Sequence, residues 1–108
     1  KLVFKLMSNV YLNASSTPSE ETSSTLYSCP EFKTAVLKSI LVCNPSGGAL
    51  SVTIKLGANF LFNAKPVASN ETIELLTAPL VVESTGVVSV EGSGSIGLNI
   101  LASILEIS

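Results

Sequence analysis

Three kinds of residue group stand out from which a chemical site could be built: clustered glycines, paired carboxylates and thiols. NPSGG (Asn44–Gly48) and EGSGSIG (Glu91–Gly97) carry closely spaced glycines, as loops that cradle phosphate do. Glu71 and Glu74 are the obvious pair of carboxylates for general acid–base work on a glycosidic bond. Cys29 and Cys43 are the two thiols of the chain.

None of the three has its expected context. A phosphate loop needs Lys-Ser/Thr after its glycines and then a helix whose N-terminus faces the anion, but here ALSVTIKL follows, a strand pattern. Gly47-Gly48 does not make the G-x-G-x-x-G of a dinucleotide site, and EGSGSIG also leads into alternating residues. Both are expected to be turns, with Pro45 fixing an early φ and Gly47 or Gly48 supplying a positive one. Glu71 and Glu74 fall on opposite faces of a strand, with no aromatic sugar cleft around them: Trp is absent and the tyrosines are Tyr11 and Tyr27. Glu20-Glu21 lies in a polar run and is expected to be a solvated pair. Cys29 and Cys43 sit in strand-like surroundings, as two small buried side chains in a reducing compartment or as a disulfide, which Cα geometry decides. The sequons at Asn13 and Asn70 bear on function only in a secreted eukaryotic protein.

Composition removes whole classes of chemistry. The 108 residues include no His, Asp, Arg or Trp; all eight acids are Glu and all six bases Lys. There is no imidazole for a nucleophile's base or a metal, and no guanidinium for a phosphate or a guanine edge. A net charge of −2 repels a polyanion, so no nucleic-acid partner is expected, and no cofactor either. No apolar run reaches the ~18–20 residues that span a bilayer; the longest candidate, Ile96–Ile107, has 12 and includes Asn99 and Glu106, so no membrane partner is expected. KLVFKLMSNVYL has no signal-peptide core. Because methionine is not normally removed before lysine, a segment ahead of Lys1 is expected.

What would position any site is a set of strands. In Ser51–Leu56, Val52, Ile54 and Leu56 alternate with Ser51, Thr53 and Lys55, a half-buried antiparallel strand. Similar runs recur at intervals of about 8–12 residues, separated by turn signals such as NPSGG, GAN, KPVASN and STG, which is the pattern of an all-β fold. The expectation is an antiparallel β-sandwich, Ig-like or jelly-roll-like, of about 7–8 short strands over residues 26–108. In the last strand Ile96, Leu98, Ile100 and Ala102 keep one phase and Leu105 and Ile107 take the other, which predicts a bulge near Ile104.

The first 25 residues divide in two. Leu2, Phe4, Leu6, Val10 and Leu12 share one face of a strand over residues 1–12, and residues 13–25, NASSTPSEETSST, read as a polar loop or tether. A strand on a tether can join its own sheet or be an arm exchanged with a neighbour. Ala35–Cys43 is apolar on both faces, with Ala35, Leu37, Leu41 and Cys43 on one and Val36, Ile40 and Val42 on the other. Only 13% of residues are charged, about half the usual share. A second apolar face needs a cover, so subunit contacts are expected at Leu2, Phe4, Leu6, Val10, Leu12, Val36, Ile40 and Val42.

Over Leu26–Ser108 the chain resembles small β-sandwich virion structural proteins of tailed bacteriophages. The resemblance rests on the strand Ile40–Asn44 ending in V-C-N, the turn Ser46–Gly48, the strand Ser51–Leu56, the polar step Ala68–Thr72, the strand Pro79–Glu83 and the alternating Ile96–Ile107. It implies a non-enzymatic virion component made in the bacterial cytoplasm. A capsid decoration (cement) protein comes first, with a neck, tail or fibre part, or a carbohydrate- or receptor-binding module, as alternatives. The implied partners are copies of itself, the major capsid protein or other virion proteins.

Overall fold

The computed structural model describes residues 9–17, 23–93 and 98–107. They form nine strands: β1 (Asn9–Ser16), β2 (Ser23–Ser28), β3 (Thr34–Cys43), β4 (Leu50–Leu56), β5 (Asn59–Val67), β6 (Thr72–Glu74), β7 (Leu80–Val82), β8 (Val87–Gly92) and β9 (Asn99–Ile107). The first sheet has the order β1-β9-β3-β6, with β7 also on β3; the second has the order β2-β8-β4-β5. Every pairing is antiparallel. The expected all-β sandwich is what forms. The strand number exceeds seven or eight because β6 and β7, three residues each, share one edge of β3 in two pieces.

The core lies between the sheets. Ala35, Leu37, Ile40, Val42, Ile100, Ala102 and Ile104 of the first sheet meet Val52, Ile54, Val67, Val88 and Val90 of the second, all essentially inaccessible to solvent. The alternation of Val52, Ile54 and Leu56 holds, since strand side chains switch faces at each residue.

Three details differ from the sequence expectation. The bulge lies opposite Ile104 but in β3, not in β9: Leu37 pairs with Ile104 and Ser39 with Ser103, so Lys38 is the extra residue and β9 keeps one phase through Ile104. One inserted residue reverses the faces after it. Ile40 and Val42 therefore continue the buried side of Ala35 and Leu37, whereas Leu41 and Cys43 turn outward with Val36. Second, the polar run 13–25 is strand at both ends. Asn13–Ser16 pairs with β9 as far as Ser16↔Ile100, and Ser23–Thr25 belongs to β2. The ladder is made by backbone groups, and polar side chains on an outer face do not oppose it. Third, neither Gly47 nor Gly48 has a positive φ; among the described residues the glycine that does is Gly57 (φ 60), in the turn between β4 and β5.

Candidate interaction surfaces

The NPSGG loop carries the chain from the first sheet to the second, from β3 to β4, and Asn44 is its anchor. Asn44 is completely buried. Its Nδ2 donates to the carbonyls of Gly48 and Val67, both at 2.9 Å, and its Oδ1 accepts from the Ser46 amide at 3.0 Å. The Ser69 hydroxyl donates to the Ser46 carbonyl at 2.7 Å, tying in the loop before β6. Donors and acceptors here are directed at one another, so the loop is a cross-brace rather than an anion cradle. EGSGSIG falls partly outside the described residues, at 94–97.

Glu74 is committed to structure as well. Its carboxylate accepts from the Ser39 hydroxyl, from the Ile40 amide at 2.8 Å and from the Leu76 amide at 3.1 Å. It thus satisfies β3 just after the bulge, between the stretches paired with β6 and β7. Burial on its own would raise its pKa; the hydrogen bonds from Ser39 and from the Ile40, Leu76 and Leu75 amides outweigh that and hold it below the usual carboxylate range. Cys29 is buried and Cys43 half-buried, and both are free thiols. No cluster of three or more His, Cys, Asp or Glu able to hold a metal occurs among the described residues.

The outer face of the first sheet carries the surface of interest. Opposed residues of antiparallel strands point the same way, so the register defines rows across the sheet. Tyr11↔Leu105, Leu105↔Val36 and Val36↔Val81 make one continuous apolar row over β1, β9, β3 and β7. Tyr11 and Val81, at its two ends, are 73% and 53% exposed. A polar row, Asn13, Ser103 and Ser39, separates it from a second apolar pair, Leu101↔Leu41. Lys38, the bulged residue, stands over this face with Nζ 5.8 Å from the Tyr11 ring centroid.

The sequence-predicted contact residues divide accordingly. Val36 lies in the apolar row on the outer face, half-buried between its exposed ends. Val10 is exposed, and Leu12, on the same side of β1, packs against the core. Ile40 and Val42 have no accessible surface, because the bulge turns them inward. Leu2, Phe4 and Leu6 lie outside the described residues. Sequence reasoning passed over Tyr11, Leu105, Val81, Leu41 and Leu101. An alternation count that allowed one skipped residue at Lys38 would have exposed Leu41.

A second feature lies at the end of the sandwich where β3 begins. The β2–β3 and β7–β8 loops are laced together: the Cys29 amide donates to the Gly86 carbonyl at 2.8 Å, the Thr85 amide to the Cys29 carbonyl at 3.1 Å, and the Phe32 amide to Ser84 Oγ at 3.0 Å. Phe32 (φ 66) and Thr85 (φ 65) both occupy the left-handed region that side chains other than glycine avoid, Thr most strongly because it is β-branched. Phe32 is 80% exposed.

No family model and no curated protein matches the sequence. Solved structures share the fold, two of them as follows. A protein described under "Bacillus endospore appendages form a novel family of disulfide-linked pili" superposes with a TM-score of 0.55 at 13% identity, over 96% of this chain and 89% of that one. A chain of the T13 IBDV viral particle superposes with a TM-score of 0.52 at 12% identity, over 92% of this chain; that match spans 31% of the viral chain. The fold is therefore one found both in a pilus and in a virus particle.

Proposed function

We propose that this chain is a non-enzymatic structural subunit of a repeating protein assembly, a virion or a surface appendage, and that it contacts copies of itself through the outer face of its first sheet. The observation that carries this is the apolar row Tyr11–Leu105–Val36–Val81, which crosses four strands on the side away from the core. Apolar area removed from water contributes about 25 cal/mol per Å², and a row repeated on every subunit contributes at every contact. The whole-length correspondence with a pilus subunit and the match to part of a capsid chain support such a role.

The finer placement is a capsid decoration protein of a tailed bacteriophage, supported by the resemblance over Leu26–Ser108, the small size and the low charge. Its partners there are copies of itself and the major capsid protein. The appendage placement is favoured by the fact that the pilus subunit matches nearly end to end.

Sedimentation velocity of the purified chain, with electron microscopy of the product, tests the common premise. The wild type is expected to associate with rising concentration, and Val36→Lys to require at least tenfold more protein. A wild type that stays monomeric throughout rejects the reading. Copy number in purified particles then separates the placements: hundreds of copies per head mean a cement protein.

A further inference from the structure

We infer that the Glu74 carboxylate is a proton-operated latch, and that protonating it releases residues 75–79 from β3 while the rest of the sandwich stays folded. The inference is independent of the self-association proposed above.

The latch sits at a break in the first sheet. One edge of β3 is covered in two pieces, by β7 at Ala35–Leu37 and by β6 at Leu41–Cys43. Lys38, Ser39 and Ile40 lie between the pieces, and residues 75–79 (LLTAP) connect β6 to β7 across this gap. No strand is opposite the Ile40 amide there, and its acceptor is Glu74 Oε2 at 2.8 Å. The same oxygen accepts from the Leu76 amide at 3.1 Å, and Oε1 accepts from the Ser39 hydroxyl. One carboxylate thus ties two residues of β3 to the crossing segment. A further tie is the Leu75 amide, which donates to the Ile40 carbonyl at 2.9 Å.

The carboxylate is a pure acceptor only while it is ionised. Protonation puts a hydrogen on one oxygen and removes the charge that strengthens the other bonds. Three donors are then left with too few acceptors. Burial acts to raise the Glu74 pKa, but the hydrogen bonds from Ser39 and the Ile40, Leu76 and Leu75 amides outweigh it and hold the group below the ordinary range. The latch is therefore closed above that range and opens as pH falls through the folded value.

No charged partner takes part. β3 carries Lys38 and Cys43 near the gap, and the Lys38 ammonium stands 5.8 Å from the Tyr11 ring centroid. Glu71 precedes β6, while the crossing segment and β7 have no titratable side chain. Glu106 of β9 is opposite Ala35, beyond the gap, and is paired with Lys33. Among the described residues Glu74 makes no ion pair.

The released piece is small. Within it Leu75 alone is buried, and Thr77, Ala78 and Pro79 are exposed. Segments that bury few apolar groups open locally at less cost than the whole domain. β7 begins directly after it and carries Val81, so the latch borders one end of the apolar row.

Hydrogen exchange followed residue by residue by NMR, with rates corrected for the intrinsic effect of pH, tests this. As pH falls below ~4, protection of the Ile40 and Leu76 amides is expected to drop about tenfold or more, while amides of β4 and β8 keep theirs. Glu74→Gln is expected to weaken the two amides already at neutral pH and to show no further step in acid. Glu71→Gln is expected to keep the wild-type step. Loss of protection in concert with β4 and β8 would mean global unfolding and overturns the latch. So does a step that persists in Glu74→Gln or vanishes in Glu71→Gln, and so does wild-type protection that stays constant.

Discussion

Tyr27 and Glu106, 79 residues apart in the sequence, are joined across the two sheets: the phenol of Tyr27 donates to Glu106 Oε2 at 2.5 Å. Tyr27 is in β2 and Glu106 in β9, and Lys33 Nζ lies 3.6 Å from the other carboxylate oxygen. The strands that carry them belong to different sheets, so this is a polar rivet beside the apolar core. Tyr27→Phe keeps the ring and removes the donor. It is expected to lower stability by about 1–2 kcal/mol in urea unfolding, within the range for hydrogen bonds to charged groups.

The same contact sets an alkaline limit. Burial, and then the hydrogen bond and negative charge of Glu106, raise the Tyr27 pKa well above its ordinary value. A raised folded pKa means that the contribution is complete below the unfolded value, about 10, and is lost as pH climbs above it. Stability of the wild type is thus expected to fall above pH ~10 more steeply than that of Tyr27→Phe. Equal slopes would show that the phenol is not held in this way.

Glu74 gives the acid counterpart. Its depressed pKa means that its contribution is present above the ordinary carboxylate range and disappears as pH falls through the folded value. Glu74→Gln cannot accept from Ser39, Ile40 and Leu76 together. With the partly exposed position discounted, the expected loss is about 1 kcal/mol at neutral pH, shrinking below pH ~4. Denaturant midpoints of the two proteins across that range supply the check.

Asn44→Ala removes the loop anchor and takes a partner from the Val67 carbonyl and the Ser46 amide, while the Gly48 carbonyl keeps the Ser46 hydroxyl as a donor. Unpaired buried polar groups cost about 1–3 kcal/mol each, so a loss of at least ~2 kcal/mol is expected, among the larger ones for a single polar site here. Chemical denaturation with an unchanged slope would place that loss in the folded state.

The glycines separate in the same assay. A Cβ on Gly86 would lie 2.9 Å from Val82 Cγ1 and 3.0 Å from the Glu83 carbonyl, whereas one on Gly47 or Gly48 meets nothing within 4 Å. Gly86→Ala is expected to destabilise by about 1–3 kcal/mol. Gly48→Ala, at a φ open to alanine, is expected to be neutral or to stabilise by up to ~1 kcal/mol.

The sequence by itself determined the fold class and much of the core. Period-two alternation in Val52, Ile54 and Leu56, and in Ile100 and Ala102, needs no tertiary information, because a strand's side chains alternate whatever it pairs with. Turn chemistry around Gly57 was equally local. The absence of His, Asp and Arg disposed of many site chemistries before any geometry was known. Tertiary structure decided what depends on a partner strand. Lys38 is a bulge because of how β3 registers against β9, and that one residue moves Ile40 and Val42 into the core and Leu41 onto the surface. The same holds for the apolar row, which exists because Tyr11, Leu105, Val36 and Val81 are brought level by three separate pairings. The cross-bracing roles of Asn44, Glu74 and Tyr27 had no local signature, since the partners they reach at Val67, Ile40 and Glu106 lie 23, 34 and 79 residues away. Alternation is a property of one chain segment, but register, and with it the surface offered to a neighbour, is a property of the assembled sheets.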